Sequence, residues 1–291
     1  MEKSLSEYIS ISKNLEIGKE DKNAKIAILA SFTLTGLDEC LKVKCRETSI
    51  NYQSYVGPYN QYNQEILDPS SNLYRFNPDI TFLFIDIRSF FGENFYLPYK
   101  ISTDERKLFL KNKIFELENI IEKFRDNSKS KLIIANLNIP SYSPNGIIET
   151  KTDFGIHEMI EEVNKKLRAT SKKYDSVFVY NFNSFVSKFG EQNIFDYRQF
   201  YLGDIQIALN FIPYLANELM GYVKPFYSKN KKCIVLDLDN TLWGGVVGED
   251  GFDGIELGHT SNGKAFVEFQ KMLISLWYQG IILAINSKNN Y

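Results

Sequence analysis

Four short apolar runs punctuate the first two thirds of the chain: Lys25–Ala30, Ile80–Ile87, Lys131–Leu137 and Val177–Tyr180. Each is too short for a helix and shows no polar alternation, which is the pattern of a strand buried on both faces. Between them, apolar residues recur three and four apart. Leu37, Leu41 and Cys45 carry that spacing after the first run. Leu110, Ile114, Leu117, Ile121 and Phe124 carry it between Asp104 and Arg125, and Ile156, Met159, Ile160, Val163 and Leu167 carry it before the last run. These predict amphipathic helices. A further helix is expected from Ile205 to Tyr222, kinked or divided by Pro213. Strands alternating with helices predict a parallel sheet covered on both faces.

A polar stretch from Lys224-Pro225 to Asn230 marks a boundary, so residues 1–226 are expected to form one α/β domain and 227–291 the beginning of another. The second part reads as strand, helix, strand. Lys232–Leu236 is a short apolar run. Ala265, Phe266, Phe269, Met272, Leu273, Leu276 and Trp277 form a stripe between Ser261 and Tyr278, which Gly280 stops. Ile281–Asn286 is then a second parallel strand, joined by a right-handed crossover.

Composition is that of an ordinary globular protein. A net charge of −2 gives no reason to expect nucleic acid or an anionic membrane as partner. No apolar run approaches membrane-spanning length, and the polar segment Met1–Glu20 does not read as a secretory leader. Cys40, Cys45 and Cys233 lack metal-site spacing, with Cys233 expected to serve packing; the setting implied is reduced and cytoplasmic. Asn51–Gln64, rich in Tyr, Asn and Gln but lacking Lys and Arg, reads as an ordered surface loop rather than a base-stacking platform. Asp196–Tyr201 is an aromatic cluster with one Arg, read as packing or as a partner contact.

The chemistry concentrates where Lys232–Leu236 ends. Asp237-Leu238-Asp239-Asn240-Thr241 places two carboxylates, one residue apart, at the carboxyl end of a parallel strand, where open α/β sheets bind ligands. Such a pair can hold a hard cation, and one member can attack phosphorus. The plain alternative is a turn in which the acids cap a helix or meet solvent. Asp-x-Asp-x-Thr behind an apolar strand resembles the first motif of the haloacid dehalogenase (HAD) superfamily. The resemblance implies that Asp237 is the nucleophile and Asp239 the general acid and base. It implies Mg2+ held by Asp237 and the backbone carbonyl of Asp239. It also places Ser287, which ends the second strand, at the superfamily's second motif, donating to the phosphoryl group. Thr241 and Lys288 complete the candidate phosphate-binding set.

Downstream, Trp243-Gly244-Gly245-Val246-Val247-Gly248-Glu249-Asp250-Gly251 reads as a glycine-loosened loop entering a hairpin. Asp250-Gly251 would supply its turn and Ile255–Leu257 its return strand. The run from Asp237 to Gly258 closely resembles FkbH-like proteins, a subgroup that loads a glyceryl unit onto an acyl carrier protein. This implies a phosphorylated three-carbon donor, a carrier thiol as acceptor and loss of phosphate. The superfamily's later motifs, a Lys or Arg and an acidic residue or pair, would follow Tyr291. A longer enzyme is therefore expected, with weak metal binding and little turnover from residues 1–291 alone.

Ser31, after the first strand, stands where esterases of the SGNH class place their nucleophile, and the strand order is similar. The stretch Tyr201–Gln206 has no histidine where such an enzyme needs one, and His157 falls within a helical pattern as a surface residue. The expected fold is thus a flavodoxin/SGNH-like three-layer parallel-sheet domain without its triad, followed by the beginning of a HAD-like Rossmannoid domain. A non-catalytic module that docks a carrier protein is the competing function, and an esterase using Ser31 a weaker one.

Overall fold

The computed structural model describes residues 2–15, 22–227, 231–259 and 261–288. The chain divides into two units, Met1–Tyr227 and Ser228–Tyr291.

In the first unit the elements run α1 (Leu5–Asn14), β1 (Asn23–Ala30), α2 (Leu37–Glu47), β2 (Asn51–Val56), α3 (Tyr62–Leu67), α4 (Asn72–Phe76) and β3 (Ile80–Phe84). There follow α5 (Ile87–Phe91), α6 (Glu93–Tyr96), α7 (Thr103–Asn127), β4 (Lys131–Ala135), α8 (Ile156–Ser171) and β5 (Val177–Tyr180). α9 (Phe182–Phe189), α10 (Glu191–Ile194), α11 (Tyr197–Gly203) and α12 (Ile212–Tyr227) close the unit. The five strands form one parallel sheet in the order β2-β1-β3-β4-β5, the doubly wound, flavodoxin-like order.

Alternation along these strands builds two cores. Ile26, Ile28, Phe82, Phe84, Ile133 and Tyr180 face one side, where α2, α9 and α12 supply Leu37, Leu41, Phe185, Leu215 and Leu219. Ala27, Leu29, Leu83, Leu132, Ile134 and Val177 face the other, against Leu117, Ile121, Met159 and Val163 of α7 and α8. β3 is buried at all five positions because it is central and covered on both faces. Its one hydroxyl, on Thr81, is satisfied by Ser130 Oγ at 3.0 Å.

Three expectations are corrected here. Asn51–Val56 is not a loop but the edge strand β2, paired with β1 from Asn23↔Asn51 to Ile28↔Val56. An edge strand tolerates polar side chains, so it carries no apolar run to betray it. α12 begins at Ile212 rather than Ile205, with Pro213 in its first turn, where a missing N–H costs nothing. The residues before it are held by a single antiparallel bridge, Phe195↔Ile207. α12 also runs through Lys224 and Pro225 to Tyr227, so these two are helical rather than linker, and residues 228–230 of the expected boundary lie outside the described residues. α1, unanticipated, starts at a capping box in which Ser4 and Glu7 satisfy each other's backbone N–H groups.

The second unit contains β6 (Cys233–Leu236), α13 (Val247–Gly254), α14 (Ser261–Tyr278) and β7 (Ile282–Ile285). β6 and β7 are parallel neighbours, registered from Cys233↔Ile282 to Leu236↔Ile285. Leu236 and Leu273 are buried, whereas Val235, Ile282 and Ile285 are more than half exposed, and so are Met272 and Trp277 of the expected stripe. Cys233 is likewise exposed, contrary to its expected packing role, because it shares the outward phase of the strand with Val235. The expected hairpin survives as one antiparallel bridge, Gly244↔Glu256. Its Asp250-Gly251 turn is instead part of α13, kinked at Gly251 (φ 69°).

Candidate active site

The register of β6 and β7 decides where the candidate residues stand. Leu236 pairs with Ile285, and Asn286 N–H donates to Leu236 O at 2.8 Å. Asp237 and Ser287 therefore leave the same edge of two adjacent strands. Asp237 is exposed, and its Oδ1 accepts from Leu238 N–H at 2.8 Å. Ser287 is half-buried and Lys288 exposed.

After Asp237 the backbone makes one helical turn, with Thr241 N–H and Leu242 N–H both donating to Leu238 O at 3.2 and 2.8 Å. Asn240 ends it in the left-handed region (φ 52°), a conformation that asparagine accepts more readily than most residues. Its side-chain oxygen receives Gly245 N–H at 3.0 Å. Gly245 (φ 90°) takes a backbone conformation that other residues adopt only under strain, and a Cβ would also stand 2.9 Å from Asp250 Oδ2. Asp250 in turn receives Val246 N–H at 2.8 Å.

This turn brings Trp243 back over Asp239. The indole Nε1–H donates to Asp239 Oδ1 at 3.0 Å, and Val247 N–H donates to the same oxygen at 3.2 Å. Asp239 is half-buried by these contacts and Thr241 is half-buried beside it. Neither Trp243 nor Val247 was a candidate from the sequence. The spacing of Trp243 from Asp239 was visible, but its direction depends on the turn at Asn240. An open cavity of about 560 Å³ adjoins the loop, lined by Asn240, Gly244, Gly245, Asp250, Glu256 and Phe266 among others.

No group of three or more His, Cys, Asp or Glu side chains able to hold a metal is assembled among the described residues. What the edge offers a hard cation is the carboxylate of Asp237, with Oδ2 free of bonds among the described residues, and the backbone carbonyl of Asp239 two residues on. That donor set is of the right class for Mg2+, which binds through one or two carboxylates and keeps several waters.

The carboxyl edge of the first unit is chemically quiet. Ser31 is 3 % exposed, and its Oγ accepts from Asp86 N–H at 2.8 Å. Asp86 caps α5 by accepting from Arg88 N–H and Ser89 N–H at 3.1 and 3.4 Å. It also pairs with Arg88 Nε at 3.1 Å and accepts from Gln206 Nε2 at 2.5 Å. Arg88 stacks on Phe200, 3.8 Å from the ring centroid. Gln206 thus bonds Asp86, whose N–H already donates to Ser31, and among the described residues no imidazole is hydrogen-bonded to the Ser31 hydroxyl to activate it. His157 is half-buried at the start of α8. A ring nitrogen lies 3.3 Å from Tyr142 O, and the backbone N–H of His157 donates to Glu149 Oε1 at 3.1 Å.

The N-terminal domain of FkbH matches residues 25–224, more than half of the chain. The chain belongs to the FkbH family. No curated protein sequence matches this FkbH-family chain. Among solved structures it is similar to the N-terminal part of a Bacteroides fragilis protein containing a phosphatase domain, complexed with Mg. The likeness has 27% identity and a TM-score of 0.86, and covers 99% of this chain and 74% of that one. The chain is also similar to a lipase from a goat rumen metagenome (11% identity, TM-score 0.49, 72% of this chain and 99% of that one). A third likeness is to an acetyl xylan esterase variant from Geobacillus stearothermophilus (9% identity, TM-score 0.47, 73% and 99%). Among the described residues no helix is long and apolar enough to cross a membrane.

Proposed function

We propose that this FkbH-family protein is a magnesium-dependent, HAD-like phosphatase or glyceryl transferase of the cytoplasm, acting on a phosphorylated three-carbon donor with an acyl carrier protein as acceptor. The observation that carries the phosphoryl part is the placement of Asp237, Asp239 and Ser287 at one edge of the parallel pair β6–β7. Asp237 is the nucleophile. It is exposed, so an incoming phosphoryl group can reach it, and an aspartate is ionised at neutral pH without an adjacent base. Asp239 serves as general acid to the leaving oxygen and then as base to water. Ser287 donates its hydroxyl to a nonbridging oxygen, with Thr241 and Lys288 as further phosphate contacts. Mg2+ held by Asp237 and the backbone carbonyl of Asp239 would offset the repulsion between carboxylate and phosphate. The carrier protein and the three-carbon donor rest on the family resemblance alone.

The test is phosphate release from an acyl phosphate with Mg2+, by the full-length protein and by its Asp237→Asn variant, with circular dichroism to confirm the fold. Loss of turnover in the folded variant is expected; retained turnover removes Asp237 as nucleophile. Capture of carrier protein that is equal in both, with no turnover by either, would instead establish a docking module.

A further inference from the structure

We propose that Gln270 of α14 is a positioning residue that holds the backbone carbonyl of Asp239 ready for the metal ion, an assignment resting on the magnesium reading above. The turn after β6 uses its carbonyl groups unevenly. Leu238 O accepts twice, from Thr241 N–H at 3.2 Å and Leu242 N–H at 2.8 Å. Leu242 O accepts from Gln270 Nε2 at 2.7 Å, and Gly245 O from Asn240 N–H at 3.3 Å. Asp239 O accepts no hydrogen bond among the described residues. Backbone carbonyls seldom go without a partner, and one left without a donor is an oxygen that a hard cation can take. It lies two residues from Asp237, whose exposed carboxylate keeps Oδ2 without a donor among the described residues.

What distinguishes the Gln270 bond is where it comes from. Among the described residues, every other hydrogen bond of residues 238–247 has its partner between residues 237 and 256, so those bonds shape the loop from within. Gln270 alone ties the turn to α14. Peptide planes are rigid, so a turn held at Leu238 O by its own amides and at Leu242 O from the helix leaves the plane that carries Asp239 O little freedom to swing. That matters for this cation in particular. Mg2+ takes its oxygens at about 2 Å in near-octahedral geometry, so a carbonyl that wanders is a poor ligand. Gln270 touches neither metal nor substrate; it acts through the turn, as an outer partner that orients a ligand. A glutamine with a merely structural part would satisfy Leu242 O and do no more.

Metal affinity separates the two roles. Mg2+ binding is measured by titration calorimetry on the full-length protein at a single pH, with circular dichroism to confirm the fold of each variant. Gln270→Met keeps the length of the side chain and removes its N–H, and should weaken Mg2+ binding about tenfold, the loss typical of removing an outer partner of a metal ligand. Leu273→Ala strips a buried side chain from the same helix and has no bond to the turn. The affinity of that folded variant should stay within about twofold of native. Unchanged affinity in Gln270→Met, or an equal loss in Leu273→Ala, overturns the proposal. If Gln270→Met fails to fold, Gln270→Asn keeps the carboxamide but shortens its reach by a methylene, and the same loss is required of it. No Mg2+ binding by the native protein would instead remove magnesium from the proposed function, and the role of Gln270 with it.

Discussion

Replacing Asp86 by alanine asks what the sheet edge of the first unit is for. The side chain is 6 % exposed and serves Arg88 Nε, Gln206 Nε2 and two N–H groups of α5. Losing the cap costs about 1 kcal/mol. Removing one partner of a buried ion pair costs about 3–5 kcal/mol. Arg88 moderates that figure, because it is 13 % exposed and keeps its stacking on Phe200. The contributions share one carboxylate and do not add in full, so about 3–4 kcal/mol is expected. With a urea slope of about 2–3 kcal/mol/M the unfolding midpoint falls by about 1–2 M. Both tryptophans lie in the second unit, so far-UV circular dichroism, rather than indole emission, follows this transition. Asp86→Asn keeps an acceptor for the cap and for Gln206 and should cost about half as much. A loss below about 1 kcal/mol for alanine, or equal losses for the two variants, would refute the account of Asp86 as the shared acceptor of a buried network.

Further outcomes follow from neighbouring features. Gln206→His should not create esterase activity on nitrophenyl acetate, because Ser31 is buried and already occupied by Asp86 N–H; measurable Ser31-dependent hydrolysis would contradict this. Burial alone would raise the Glu149 pKa, but hydrogen bonds from Ser143, Tyr99 and His157 N–H outweigh it and hold the group below its usual value of 4.5. The stabilisation this gives is complete above pH 4.5 and is lost as pH falls through the lower folded value, so the stability gap between native protein and Glu149→Gln should close on acidification. A gap that widens there reverses the sign. Leu273→Ala, at a buried position of α14, should destabilise the second unit by about 2–3 kcal/mol, while Met272→Ala on the exposed side should cost under about 1 kcal/mol by indole fluorescence.

Legibility in the sequence tracked burial. β1, β3 and β4 stood out because these central strands are covered on both faces and their runs must be apolar. β2 was hidden because an edge strand packs partially and takes Tyr, Gln and Asn along its length. α1 carried its signal in Ser4 and Glu7, a capping pair that apolar periodicity does not register. Pro213 was read as a disruption, although the first turn is where a helix accepts proline without loss. For the candidate site, the acids were visible as a spacing at a strand end. The indole on Asp239 was not, because that contact is set by the turn around Asn240 rather than by any residue pattern.

The three cysteines meet very different surroundings. Burial pushes the thiols of Cys40 and Cys45 up to about 12, which leaves almost no thiolate at neutral pH. Cys233 sits on the open side of β6, four positions ahead of Asp237. Within residues 1–291 Cys233 is therefore the one exposed thiol. A maleimide dye would attach there without mutagenesis and report on whatever arrives at the neighbouring acids, and peroxide would find the same sulfur first.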